Sequence, residues 1–471
     1  MQSGPGFVHA TKLGGVLVAR ILIKGGWVIS MDPAIGVLDR GDVLVEDDRI
    51  AAVAPSIDAG EGTEVIDASR MIVMPGLVDA HLHTWQTGIR GIAGNWTMGQ
   101  YLRGMHATLA TGYKPDDIYL ANLVGSLHQI AGGVTTVFDW CHNNPTPDHT
   151  DAAVKGLTES GIRGVFAHGS PKPDPKEGQK HFSEVPHPAS EIKRLREGPF
   201  ASDDALVTLG MAILGPHYSI YDVTHQDMLL AREYGLTASA HMSGGFNRMV
   251  PDGIYKMRDD GILGPDFNIV HGNDLTDEEL DILVDAGATF TVTAEVEVQM
   301  GFGDPITGRV MARGGAPSIG VDVESNITGD MFSVTRTTLQ IQRLIDNRPY
   351  AEAHRPIESL SVSPLQALEW ATVNGARMMG LDDRIGSLTP GKQADVILIR
   401  ADDFNIHPVN DPVNAVVFYA NGSNVDTVLI AGEVRKQGGK LDAPGLPAAM
   451  DKLAASSARL LDSSGAMAAA H

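Results

Sequence analysis

Pro75-Gly76-Leu77-Val78-Asp79-Ala80-His81-Leu82-His83 is the stretch on which the fold turns. Pro-Gly punctuates the chain, Leu77–Ala80 has the length and apolar character of a short strand, and two histidines spaced by one residue follow it. In an extended chain residues i and i+2 share a face, so His81 and His83 point the same way and can clasp one ion. A strand read this way is buried on both faces, as strands of parallel sheets are.

Seven further runs have the same texture: Val134–Phe138, Gly164–Ala167, Val207–Ile213, Leu236–Ala240, Asn268–Val270, Thr289–Thr293 and Ser318–Val321. Helical segments alternate with them. Lys114-Pro115-Asp116-Asp117 opens one that Gly132 ends; Thr276 and Glu279 form a capping box before another; Ser363, Pro364 and Gln366 start a third, expected to run to Gly380. Strands alternating with helices predict parallel α/β units, and eight of them predict a closed (β/α)8 TIM barrel.

A barrel of this kind carries its chemistry at the C-terminal strand ends. There the chain places His81 and His83 after strand one, His241 after strand five, His271 after strand six and Asp322 after strand eight. A single histidine at such a place is usually structural and a single aspartate is often a helix cap. Recurrence of ligand-type residues at one depth of four units is not accounted for that way. His81, His83, His241 and Asp322 are therefore the expected metal ligands, for one divalent ion, Zn2+ first and Fe2+ second. An ion so held lowers the pKa of its water to about 7 and makes hydroxide available at neutral pH. Asp322 is expected to take the proton of that water, and His271 to polarise the electrophilic centre or carry protons. Strand four offers no lysine for carboxylation, which argues against a second metal.

Both ends of the chain read as short strands. Val16–Ile23, Gly26–Ser30, Asp42–Glu46, Arg49–Ala54 and Met71–Met74 at one end face Ala394–Arg400, Val413–Tyr419, Val425–Ile430 and Glu433–Lys436 at the other. We expect a small β-sandwich built from residues 16–73 and 385–440, a barrel over 74–384, and a partly helical tail over 441–471 that frays by Ser463. The proline- and charge-rich loop Ser170–Pro199 is either a lid or a surface excursion.

Composition narrows the function. The 471 residues carry a formal charge of −22, which repels nucleic-acid backbones and anionic membrane surfaces. The single cysteine, Cys141, excludes internal disulfides and multi-cysteine metal sites. No apolar run reaches membrane-spanning length and no secretory cleavage pattern follows Gly14–Ile23, so a cytoplasmic enzyme acting on a small molecule is expected.

The motif at 75–83 resembles the amidohydrolase superfamily, in particular its cytosine-deaminase-like and chlorohydrolase-like branch of triazine hydrolases and guanine-type deaminases. Ala371-Thr372-Val373-Asn374-Gly375-Ala376-Arg377, Ile385-Gly386-Ser387-Leu388 and Pro390-Gly391-Lys392-Gln393-Ala394-Asp395 look like the C-terminal signature of that family, and the likeness spans most of the chain. The resemblance implies the same ligand set, a homo-oligomer, and substrate contacts from Trp85, Gln86 and Arg90, which follow the metal motif. Arg90 suits either an acidic group on the substrate or a protein carboxylate. Trp140 closes strand two beside Cys141, and His217 follows Gly215-Pro216 at the end of strand four; both are candidate pocket residues. His142, His149 and His168 are read as non-ligands.

One departure bears on the chemistry. Deaminases of this branch carry His-x-x-Glu after strand five, and here the carboxylate position is Gly244. Glu295, just past strand seven, either supplies the missing carboxylate or caps a helix at the surface. The expected reaction is hydrolysis at an activated heteroaromatic or cyclic C–N centre, with deamination first. Displacement of a halide or alkylamine, or opening of a cyclic amide, is the alternative. A barrel that binds its ligand without turning it over is the remote third.

Overall fold

In the computed structural model, which describes residues 10–13, 16–242 and 248–464, all eight apolar runs of the central region are parallel strands of one sheet. They are β1 (Leu77–Leu82), β2 (Val134–Cys141), β3 (Arg163–Gly169), β4 (Val207–Ile213), β5 (Ala238–Met242), β6 (Phe267–His271), β7 (Thr289–Val292) and β8 (Pro317–Ile319). Each pairs with the next in chain order, for example Cys141 with His168 and Met242 with His271. The sheet closes through a parallel bridge between Leu82 and Asp322. Two backbone bonds make that seam: Asp322 N donates to the His81 carbonyl (2.8 Å) and His83 N to the Asp322 carbonyl (2.7 Å).

Side chains fill the barrel. Val78, Ala80, Phe138, Trp140, Val165, Ala167 and Ala212 form one buried cluster with Ala376, Met378 and Ile385. Ala376 and Met378 belong to the short helix Val373–Met378, which plugs one mouth; Gly375 there lies so near Val78 that a Cβ would meet its side chain at 2.7 Å. The helix expected from Ser363 to Gly380 is thus two helices, Pro364–Trp370 and Val373–Met378. The break has a plain cause: the Ala371 carbonyl accepts from Val78 N of β1 (2.8 Å) and leaves the helical ladder.

The strands at both termini unite in a second, ten-stranded sheet, in which all the pairings but those of the long strand with Glu64–Asp67 and Met71–Pro75 are antiparallel. The long strand Val16–Ile29 merges two expected strands. It pairs with Val37–Glu46 and Met71–Pro75, and Met71–Pro75 pairs antiparallel with Val396–Arg400. Ile21, Ile23, Val43, Val45, Val73, Val396 and Leu398 form its own core. The expected strand Val413–Tyr419 is instead helical, Pro412–Asn414 running into a π-type turn Ala415–Tyr419. Asp411 caps it by accepting from Asn414 N and Pro412 occupies its first position, so capping overrides the β-branched composition.

Helix α1 (Pro115–Ala131) and the C-terminal helix α2 (Leu446–Ser464) pack together through Leu120, Val124, Ala449 and Leu453. Asp117, in the first turn of α1, receives Lys114 N, the Ser456 hydroxyl and Arg459. No helix among the described residues is long and apolar enough to cross a membrane.

Barrel and terminal sheet are joined by a buried ion pair. Arg163 of β3 binds Asp395 through two parallel bonds of 2.7 and 3.0 Å, and Ala431 N also donates to that carboxylate at 2.7 Å. Truncation of one partner leaves the other charged and alone. Asp395→Ala should therefore destabilise the protein by about 3–5 kcal/mol, read as a lower midpoint in denaturant unfolding.

Candidate metal centre and active site

The seam that closes the barrel also builds the site. Asp79 of β1 is fully buried, and one of its oxygens accepts from His81 N (3.2 Å) and Val321 N (3.1 Å), tying the two edges together above the backbone bonds. Burial pushes the Asp79 carboxyl up to about 8. Gly320 permits this approach: a Cβ there would stand 2.6 Å from His81 N. Asp322 and His271 both hold left-handed backbone, φ +70° and +69°, a conformation costly for residues with a side chain and common where function constrains the chain.

His81, His83, His241 and Asp322 converge. One ligand atom from each lies within 4.8 Å of all the others, and all four residues are buried. Asp322 Oδ1 is 3.3 Å from His81 Nε2 and 3.3 Å from His83 Nε2, while His241 Nε2 is 3.1 Å from His81 Nε2. Ligand atoms on a tetrahedral zinc, with bonds near 2.0–2.1 Å, stand about 3.3 Å apart, so these spacings fit an ion at their centre. The ring of His83 is already aimed, because its Nδ1 donates to the Trp140 carbonyl at 2.6 Å and leaves Nε2 for the ion. Burial pushes His81 down to about 3 and His241 well below its ordinary value, so both offer neutral lone pairs at pH 7. Burial alone would raise Asp322, but the His81 and His83 imidazoles outweigh it and hold the carboxyl far below the carboxylate range.

His271 stands at the edge of this group, its Nε2 4.0 Å from Asp322 Oδ2. Its other nitrogen is 3.0 Å from the Thr293 hydroxyl and 3.4 Å from Glu297 Oε1. Glu297 is fixed in turn by Thr293 N and Asn273. Glu295 is the glutamate expected from the sequence either to supply a carboxylate or to cap a helix. That residue lies two positions earlier on the helix Ala294–Met300, hence across it, and accepts from Ser333 and Thr337 of the helix Met331–Glu352, away from the cavity. Glu297 is the glutamate that reaches the site.

The remaining candidates fall into two groups. Trp140 lies against His241, ring centres 4.2 Å apart, and accepts from His83 at its carbonyl. Trp85 is buried behind His106 and His142, and Gln86 bridges the Tyr101 hydroxyl and Ser325. Arg90 takes the second of its two options and pairs with Glu324 at 2.8 Å. His217 is buried, and burial pushes it down to about 4; its neighbour Tyr218 lines the cavity. Gly244 lies outside the described residues.

Above the four ligands is a small cavity of about 30 Å3. Sequence reasoning missed much of its wall: Tyr101 and His106, Lys172, Met300 and Phe302. His106 comes from a π-type turn, Leu102–His106, a local widening frequent at functional sites but without a sequence signature. His142 also reaches the wall, its Nε2 3.3 Å from His106 Nε2. The segment 170–199, expected as one loop, is loop only at its start, since Phe182–Glu184 is a 3-10 turn and Ala189–Glu197 a helix. That start sends Lys172 inward, and His187 anchors the segment to the His168 carbonyl and to Asp227.

Comparison with known proteins agrees with this architecture. Residues 72–262 and 308–435 match the amidohydrolase family, and the chain belongs to that family. It is a hydrolase with a metal-binding site. It is 27% identical to the 5'-deoxyadenosine deaminase of Methanothermobacter thermautotrophicus, over 90% of this chain and 94% of that protein. It is 28% identical to the 5-methylthioadenosine/S-adenosylhomocysteine deaminase of Moorella thermoacetica, over 88% and 94%. Two solved structures share the fold. One is an adenosine deaminase from Xanthomonas campestris with bound zinc (TM-score 0.77, 22% identity, 93% of this chain and 98% of that one). The other is atrazine chlorohydrolase from Arthrobacter aurescens with zinc (TM-score 0.82, 21% identity, 93% and 100%).

The geometry separates ligands from neighbouring histidines in a measurable way. His83→Ala should lower metal affinity by at least about 100-fold, since it deletes a ligand, whereas His142→Ala should retain the metal stoichiometry of the parent. Elemental analysis after dialysis against a weak chelator reads both.

Proposed function

We propose that this protein is a deaminating hydrolase that uses one Zn2+, held by His81, His83, His241 and Asp322, to release ammonia from an activated heteroaromatic or cyclic C–N centre. The observation that carries the reading is the convergence of three imidazole nitrogens and one carboxylate oxygen within 4.8 Å beside a cavity that His83, His241 and Asp322 help to line. An ion bound there brings the pKa of a coordinated water to about 7 and supplies a nucleophile at neutral pH. The protein's own groups do the rest. Asp322 takes the proton of the attacking water at Oδ2, the oxygen on the side of His271. His271 donates to the group that gains electrons as water adds to the ring carbon, and Thr293 and Glu297 fix its orientation. Asp322 passes the proton it took from water to the amino nitrogen, the C–N bond breaks with its electron pair going to that nitrogen, and ammonia leaves while the hydroxyl stays on the ring carbon. The deaminase names of the relatives support this choice of leaving group.

A second reading keeps the attack and changes the leaving group to a halide, an alkylamine or a ring amide nitrogen. Gly244 favours it: a better leaving group needs less help from the acid that the family's glutamate provides. A homo-oligomer in the cytoplasm belongs to the same proposal, on the family's tendency and on a single cysteine that is free and buried.

Metal content measured beside an ammonia-release screen over aminated purines, pyrimidines, pterins and triazines tests the proposal. One ion per chain with ammonia from any of these is the expected result. One ion without ammonia moves the assignment to halogenated, alkylamino and cyclic-amide substrates, and a protein that holds no ion after reconstitution refutes both. Asp322→Asn should lower kcat by at least about 100-fold while the protein stays folded, because it removes the proton acceptor; a non-catalytic binding protein would keep its ligand through that change.

A further inference from the structure

Among the described residues Lys172 is a cation buried without an anion beside it. It is 9% exposed, and it has no hydrogen bond or ion pair with a described residue. Its Nζ lies between two aromatic faces, 5.6 Å from the centre of the Trp140 ring and 4.8 Å from that of Tyr218. Lysines are almost never buried this deeply unless paired, and two ring faces replace only part of the lost hydration. Burial accordingly pushes its pKa down to about 8, with Asp322 working the other way.

The surroundings give that cation a purpose. Lys172 shares the cavity wall with His83, His241, His271 and Asp322, and Asp322 is the carboxylate among the described lining residues. Asp322 is already engaged by His81 and His83. With a divalent ion bound beside Lys172, the cavity holds an excess of positive charge inside a chain whose formal charge is −22, even with His106, His142 and His241 kept neutral by burial. Such a pocket concentrates anions. Among the described lining residues Lys172 is the Lys or Arg present, which suits a monoanion such as a carboxylate better than a phosphate, and Phe302 and Tyr101, elsewhere on the same wall, suit a flat ring.

We infer that Lys172 forms an anion subsite in the active cavity, and that the substrate is an aromatic or heteroaromatic compound bearing a carboxylate rather than a neutral nucleoside. This deepens the proposed function, since it rests on the cavity being the substrate site of that hydrolase. The ammonium donates hydrogen bonds to the carboxylate while the ring lies along the aromatic wall, which leaves the reacting carbon to face Asp322 and His271.

Isothermal titration calorimetry with two matched pairs, benzoate against benzamide and nicotinate against nicotinamide, tests the subsite on the enzyme as purified, with metal content measured on each sample. Wild-type protein should bind each carboxylate at least about tenfold more tightly than its amide, the worth of one charge-assisted hydrogen bond. Lys172→Met should abolish the preference, and Lys172→Arg should keep part of it. Lys172→Met should also raise Tm, because an apolar side chain of similar volume relieves an unpaired buried charge. Equal binding in the wild type, or a preference that survives in Lys172→Met because the metal takes the anion, overturns the inference. A fall in Tm with equal loss of both members of each pair overturns it as well, making Lys172 a strut for its loop. Metal stoichiometry is read separately, so a protein without the ion refutes the hydrolase reading while the carboxylate preference stays measurable.

Discussion

The seam between β8 and β1 is the constraint on which the rest of this structure depends. Eight strands can be laid side by side by burying apolar runs, but a closed barrel needs its first and last strands to meet. Here they meet through the backbones of His81, His83 and Asp322, reinforced by Asp79 and made possible by the missing side chain at Gly320. The residues that close the barrel are those that gather around the metal position. Fold and site are one piece of covalent geometry, and positive φ at Asp322 records the strain of serving both.

Much of this was legible in the sequence because it follows from short-range rules. Alternation of apolar runs and capped helices predicts the barrel, and the side-chain period of two places His81 and His83 on one face. Strand ends then bring His241, His271 and Asp322 to the same level. What escaped were features decided by long-range partners. The helix after Ser363 breaks because β1 borrows the Ala371 carbonyl, and Val413–Tyr419 is helical because Asp411 and Pro412 start it so. The choice between Glu295 and Glu297 rests on which side of a two-turn helix faces inward, which a window that short leaves undetermined. Lys172 and His106 arrive on irregular backbone, where spacing carries no directional information.

Electrostatics divides the molecule into an acidic exterior and a site that is kept poor in negative charge. The site's histidines are mostly buried and held neutral, which readies them as ligands and denies them to counter-ions. Asp322 provides the one carboxylate among the described cavity walls, and it too is engaged. The carboxylates that do lie behind the wall, Glu297 and Glu324, are occupied by Thr293 and Asn273 and by Thr87, His128 and Arg90. Positive character in the cavity thus comes from withholding acids as much as from supplying a lysine.

The pairing of Met71–Pro75 with Val396–Arg400 has a consequence for how the chain is made. The earlier strand emerges from the ribosome on the order of tens of seconds before its neighbour, at ordinary rates of synthesis. During that interval Ile72, Val73 and Met74, all fully buried in the finished protein, have an open side. The barrel is in the same position, since β1 waits for β8. A nascent chain of this design carries two unfinished sheet edges through most of translation, each a template for pairing with another chain until its late partner arrives.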